Sequence, residues 1–258
     1  AALAAYPHLS CNGNEQTTPN SLTHSGVLYS DQWNFNYCAG RDSSFEFLEG
    51  VFEEVMDLFP SQYIHIGGDE VDKRYWETCI HCQNRMEQEG LNSEDELQSY
   101  FIQRIEAYLN SHGKKMIGWD EILEGGLSPS ATVMGWRGEK GGIKAAQMGN
   151  DVIMSPSDPL YLNRVQVKSE NEPFGPDFSI NSLENVYNYH PIPEILDEEE
   201  SSRIIGTQIA VWTEFISSVE HLEYMLLPRL PAFAELSWSG KERKDFESFV
   251  ERLNSGHF

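Results

Sequence analysis

Apolar positions recur along the chain in two periods, and the two alternate. Phe47, Leu48, Val51, Phe52, Val55, Met56 and Phe59 lie on one helical face, with Ser43 and Ser44 placed to cap it and Pro60 placed to stop it. Tyr63-Ile64-His65-Ile66 follows at once as a short apolar run suited to a strand. Ser93 and Glu96 form the signature of a capping box, opening a helix that turns Leu97, Phe101, Ile105, Tyr108 and Leu109 inward and closes near Gly113. Strands are predicted at 115–119 and 132–136, a short helix at 143–148 and a strand at 151–154. A long polar stretch punctuated by Pro173, Pro176, Pro191 and Pro193 reads as an extended loop before an acidic helix around Glu194 to Glu200. A last strand over 204–212 precedes helices through Leu226 and from Phe246 to Leu253.

Repeated strand-helix units with short apolar strands imply a parallel sheet with helices outside, hence an α/β fold of the TIM-type (β/α)8 barrel class. A closed barrel takes about 250 residues, but the 258 here hold five such units because the loops are long. The expectation is one partial barrel domain over residues 1–258, without the first three strands. Ala1-Ala-Leu-Ala-Ala-Tyr6 likewise reads as the end of a helix begun elsewhere. Open edges and an open inner face need cover, which a second copy of the chain would supply; a homodimer is therefore expected.

Composition narrows the partners. A net charge of −23 argues against nucleic acid and anionic membranes, both of which require a cationic surface. No apolar run approaches the roughly 20 residues of a membrane span. The cysteines fall as Cys11 with Cys38 and Cys79 with Cys82, each pair able to close a local loop, and the even count admits an oxidising, secreted, periplasmic or lysosome-like compartment as well as free thiols in a cytosol. Cys79-Ile-His-Cys82 has the spacing of half a zinc knuckle, but no second Cys-x-x-Cys or His pair completes it, so neither a metal nor a cofactor is expected.

The chemistry concentrates at His65-Ile-Gly-Gly-Asp-Glu70. An apolar strand ends in two glycines, which permit a tight exit, and then delivers Asp69 and Glu70 at its carboxyl end, where barrels of this class gather catalytic groups. Neighbouring carboxylates can serve one as an anion and one as an acid, the arrangement that hydrolyses glycosidic bonds. Acidic residues opening a helix by dipole preference alone are the plainer reading. The aromatic pattern downstream decides against it. Trp119, Trp136 and Trp212 stand at the ends of successive strands, with Tyr161, Asn163 and Arg164 after the strand to Met154, and Glu214 beyond Trp212. One tryptophan would most simply be core, but three at equivalent positions suit stacking on a sugar, whose hydroxyls Glu and Asn can bind.

These blocks resemble the catalytic domain of glycoside hydrolase family 20, the β-N-acetylhexosaminidases, over nearly the whole chain. They are His65 to Val71, Gly-Trp-Asp-Glu-Ile122, Tyr-Leu-Asn163, Val-Trp-Thr-Glu214 and Pro-Arg-Leu-Pro-Ala-Phe-Ala-Glu235, with Ala4 to Cys11 at the start. The resemblance implies retaining, substrate-assisted hydrolysis of terminal β-linked N-acetylhexosamine from an oligosaccharide or glycoconjugate through an oxazolinium intermediate. It assigns Glu70 as acid and then base, Asp69 and Tyr161 to the acetamido group, and Trp119, Trp136 and Trp212 to an aromatic enclosure. Glu214 and Asn163 would bind outer hydroxyls, and His65 would support the site. Many relatives carry Asp where Asn163 stands; with Arg164 adjacent, this departure raises a 6-sulfated or otherwise anionic sugar as a hypothesis. The family's sugar-gripping Arg and its Asp-His pair, which belong to the first barrel strands, match nothing in residues 1–258, so the chain alone is expected to be weakly active or inactive. A carbohydrate-binding pseudoenzyme is the alternative; a metal-dependent hydrolase fits poorly because the histidines are scattered.

Overall fold

A computed structural model describes residues 2–11, 22–23, 26–27 and 36–256. Two short strands, β1 (Leu22–Thr23) and β2 (Gly26–Val27), pair antiparallel. The other five, β3 (Tyr63–His65), β4 (Lys115–Trp119), β5 (Thr132–Gly135), β6 (Val152–Met154) and β7 (Ile204–Thr207), form one sheet in sequence order. Strand following helix in this order is part of a TIM barrel. The chain divides into two compact units, Ala1–Val133 and Met134–Phe258.

In the first unit β3 and β4 are parallel, Tyr63 opposite Lys115, Ile64 opposite Met116 and His65 opposite Ile117. Alternation along a strand sends Ile64, Met116 and Gly118 to the buried face and His65 and Trp119 to the other. The helix Asp42–Leu58 begins at Arg41 without a side-chain cap, so Ser43 and Ser44 do not serve as predicted. Ser44 is buried and donates to the Leu9 carbonyl at 3.2 Å. The buried anchor of this helix is Phe45, outside the predicted stripe, whereas Val51 and Phe59 are exposed. Phe45 packs on Phe101 at 4.6 Å and lies under the Arg104 guanidinium at 3.9 Å. Arg104 also donates to Asp42 at 2.6 Å and, with Arg85, holds that carboxyl below the usual range.

The helix Glu94–Ser111 starts as the sequence indicates: Ser93 Oγ accepts from the Glu96 amide at 3.2 Å. The box is not closed, because the Glu96 carboxylate accepts from the Asn92 amide at 2.7 Å instead. Gly113 follows at φ +72°, a backbone state that glycine adopts without strain.

In the second unit β6 and β7 are parallel, and the helix Glu139–Gln147 covers more chain than the predicted one. The proline-rich stretch is not all loop: Ser182 caps a helix at Leu183–Asn188 whose Val186 and Tyr187 are fully buried. These pack with Leu160, Leu162, Ala232, Leu236 and Phe249 in one core cluster. The acidic helix is short, Glu198–Ser201, opened by a true capping box of Asp197 and Glu200. The last strand stops at Thr207, short of the predicted Trp212. Among the described residues, no helix is long and apolar enough to cross a membrane.

Candidate active site

The turn after β3 carries Asp69 and Glu70, and its conformation is unusual. Gly67 and Gly68 have φ of +78° and +95°, and Glu70 has φ +49°, the left-handed region that a side chain resists. Among the described residues Glu70 is the one non-glycine residue so placed. The turn is fixed from several sides. The Gly67 carbonyl accepts from the Trp119 amide at 2.9 Å, the Gly68 carbonyl accepts from Gln98 Nε2 at 2.9 Å, and the Gly67 amide donates to His65 Nδ1 at 3.1 Å. A methyl group on Gly68 would come within 2.8 Å of Ile122 Cγ2, so close packing as well as φ requires glycine there.

Both carboxylates are exposed at the strand end. His65, partly open to solvent, lies edge-on to Trp119 at 4.8 Å and 61°. Desolvation lowers its pKa from the ordinary value, against the opposing pull of the Asp69 charge. A cavity of about 250 Å³ adjoins Asp69, its walls including Leu48, Phe52, Ile66, Phe101 and Ile102. Gln98 also lines it, a buried polar residue that no sequence pattern singles out and that only the fold brings to the site.

In the second unit the chain continues the β6/β7 ladder past the regular strands. The Leu162 amide donates to the Ala210 carbonyl at 2.8 Å, the Ala210 amide donates to the Leu160 carbonyl at 3.1 Å, and Tyr161 bridges Ala210 in parallel. Alternation then divides the residues. Leu160, Leu162, Ile209 and Val211 join the core cluster, and Tyr161 and Asn163 alternate with them along one segment, Ala210 and Trp212 along the other. Tyr161 lies parallel to Trp136 at 6.3 Å and 13° and edge-on to Trp212 at 6.0 Å and 63°, a contiguous aromatic group. Trp212 is 41% exposed. Glu214 is exposed in the turn Thr213 to Ile216, whose Phe215 packs on Phe174 at 5.4 Å.

Asn163 is buried, and its Oδ1 has no hydrogen-bond partner. Arg164 does not reach for solvent: it is buried, with its guanidinium 4.4 Å from the Phe178 ring and 5.7 Å from the Tyr161 ring. The segment is held by Arg229, which stands in one of the blocks of the family resemblance but is given no role there. Arg229, fully buried, donates through Nη1 to the carbonyls of Arg164 at 3.0 Å and Asn181 at 2.8 Å, and through Nη2 to that of Leu162 at 2.6 Å. Asn181 Nδ2 in turn donates to the Ser157 and Tyr161 carbonyls, both at 2.8 Å. Burial pushes the Arg229 guanidinium down to about 10, so at neutral pH it remains a charged donor.

The family model described as "Glycosyl hydrolase family 20, catalytic domain" matches residues 1–241. The chain belongs to glycosyl hydrolase family 20. It is similar to the beta-hexosaminidase of Porphyromonas gingivalis, 47% identical over 256 residues, which are 99% of this chain and 32% of that protein. The beta-hexosaminidase of Vibrio furnissii is 37% identical over 194 residues, 74% of this chain and 32% of that protein. Family 20 structures agree. The exo β-N-acetylglucosaminidase of Vibrio harveyi in complex with N-acetylglucosamine superposes with TM-score 0.84 at 34% identity, covering 98% of this chain and 39% of that one. The chain therefore spans about a third of the length of these two curated relatives.

The sequence leaves the cysteine arrangement open between local pairs and free thiols. In the structure all four sulfurs meet in the first unit as free thiols.

Proposed function

We propose that this family 20 chain provides catalytic machinery for removing terminal β-linked N-acetylhexosamine by retaining, substrate-assisted hydrolysis. The observation that carries the reading is the turn at Asp69 and Glu70. A strained left-handed glutamate, fixed at a strand end beside an aspartate, is a conformation kept where function requires it. The substrate's own acetamido oxygen attacks the anomeric carbon, so no enzyme nucleophile is needed. Glu70 gives its proton to the leaving oxygen, and its carboxylate then takes a proton from the water that opens the oxazolinium ring. Asp69 accepts from the acetamido N–H and stabilises the positive charge that develops there. Tyr161 donates its hydroxyl proton to the acetamido oxygen, while Trp119, Trp136 and Trp212 enclose methyl and ring. Glu214 and Asn163 accept from sugar hydroxyls. The unpartnered Oδ1 of Asn163 supports its part, because a buried acceptor without a donor costs about 1–3 kcal/mol that a bound hydroxyl restores.

The natural ligand on this reading is an oligosaccharide or glycoconjugate ending in N-acetylhexosamine; the relative from Vibrio harveyi was solved with N-acetylglucosamine. The test is hydrolysis of 4-nitrophenyl N-acetyl-β-D-glucosaminide together with binding of a thiazoline mimic of the oxazolinium ion. Glu70→Gln is expected to lower kcat about 10²- to 10⁴-fold while thiazoline still binds. Unchanged turnover in Glu70→Gln, or thiazoline binding unaffected by Asp69→Ala and Tyr161→Phe, overturns the assignment.

A homodimer belongs to the same proposal. Strand β7 is the last in the sheet order and exposes Ile205 at 48%. Sedimentation is expected to show association that Ile205→Lys weakens; a monomer at all concentrations excludes it.

A further inference from the structure

Cys11, Cys38 and the neighbouring pair Cys79 and Cys82, drawn from three separate parts of the sequence, place their sulfurs within 4.8 Å of one another. Cys11–Cys82, Cys38–Cys79 and Cys38–Cys82 are each separated by 3.7 Å between sulfurs. Disulfide sulfurs stand about 2.05 Å apart in exclusive pairs, whereas Cys38 is equidistant from Cys79 and Cys82. Sulfurs arranged tetrahedrally at about 2.3 Å from a central ion are about 3.8 Å from each other, close to the separation found here.

We propose that Cys11, Cys38, Cys79 and Cys82 bind one zinc ion as a buried tetrathiolate. The surrounding backbone is shaped for it. Cys79 occupies the N-cap position and Cys82 the first turn of the helix Ile80–Glu89, so one short segment supplies two of the four sulfurs. Gly40 lets the Cys38 loop close on this turn: a side chain there would come within 2.1 Å of the His81 backbone. Cys11 is brought in by the Ser10–Tyr37 bridge and the Cys38 amide, which donates to the Leu9 carbonyl at 2.8 Å. His81, between the two helix cysteines, is exposed and outside the cluster.

Four sulfur donors in a tetrahedron select zinc among the common hard and borderline divalent ions, and with no open position the site is structural. Binding exchanges four S–H bonds for four Zn–S bonds, releases four protons and involves no electron transfer. Its position gives the ion a task. Trp76 packs in the cysteine cluster and donates from Nε1 to the Tyr37 carbonyl at 3.1 Å. Val71, next to Glu70, packs on the same cluster, and both Trp76 and Val71 line the cavity at Asp69. Zinc thus staples the segments that flank the Asp69–Glu70 turn.

The full chain, purified under reducing conditions without added metal, is expected to carry about one zinc per chain by elemental analysis. Exchange with Co(II) should give the visible bands and thiolate-to-cobalt absorption of a tetrahedral sulfur site. Cys38→Ser and Cys82→Ser should lower zinc below about a tenth of an equivalent, and His81→Ala should retain it. The cobalt spectrum of the unaltered chain decides the matter even if the serine variants fail to fold. Absence of thiolate-to-cobalt absorption overturns the proposal, as does peptide mapping that finds disulfides which, once reduced, leave thiols unprotected by zinc. Iron at full occupancy overturns the choice of metal.

Discussion

Glu70 combines its proposed role as acid and base with a backbone cost. A side chain at φ +49° carries about 1 kcal/mol of strain, which glycine would relieve, less the greater freedom glycine gains on unfolding. Glu70→Gly should therefore hold or raise the urea midpoint while abolishing turnover; a fall of more than about 1 kcal/mol would show that the glutamate side chain stabilises the turn. His65 makes a separate prediction about pH. Its pKa is depressed in the folded chain from an ordinary 6.5, so the unfolded chain binds more protons as pH falls below that value. Its contribution is fully present above that pH and is lost as pH falls through the folded pKa. Urea midpoints between about pH 7 and pH 5 should decline less steeply in His65→Gln than in the parent. Tryptophans, the Asp-Glu pair and the glycines before it could be picked out from the sequence because their residue types suit the proposed chemistry. Gln98 and Ile122 could not, since nothing in a lone glutamine or isoleucine says which turn it will touch.

At the scale of elements, one side chain governs two glycines. Ile122, in the buried turn Asp120–Leu123, meets the place where a Gly68 methyl would stand at 2.8 Å and that of Gly118 at 2.7 Å. Gly118 has ordinary backbone angles, so only contact forbids a methyl group there. Gly118→Ala should cost about 1–3 kcal/mol. In Gly118→Ala/Ile122→Ala the cost should be less than the sum of the single changes, measured by a double-mutant cycle; strict additivity would mean that Ile122 is not the obstacle. Arg229 acts across elements in the same way. Its guanidinium joins the carbonyls of Leu162, Arg164 and Asn181, the first two of which flank Asn163. Arg229→Met should lose about 3–5 kcal/mol in urea unfolding because those buried acceptors would lose their donor, and thiazoline binding should weaken with it. Arg164, held among Phe178, Tyr161 and Ser179, already has partners in the fold. That use of its charge weakens the argument for an anionic sugar, and Arg164→Ala should alter neutral and 6-sulfated substrates alike.

Over the whole molecule, alternating periodicity determined the succession of strands and helices, because buried strands and amphipathic helices must each write their burial into the order of apolar residues. It also placed Asp69 and Glu70 at the carboxyl end of a strand closed by two glycines, where the proposed chemistry lies. The sequence overstated the final strand, because Ala210 continues the ladder opposite Tyr161 by an isolated bridge and the residues beyond it leave the sheet. It understated the proline-rich stretch, where tertiary burial of Val186 and Tyr187 supports a helix that local propensity does not announce. The cysteines show the limit most plainly. Spacing reveals a metal half-site when both ligands are neighbours, as Cys79 and Cys82 are, but Cys11 and Cys38 reach them through folding alone. Local pattern is set by the nearest residues and is written in the chain; convergence of distant side chains is set by packing, and only the tertiary structure decides it.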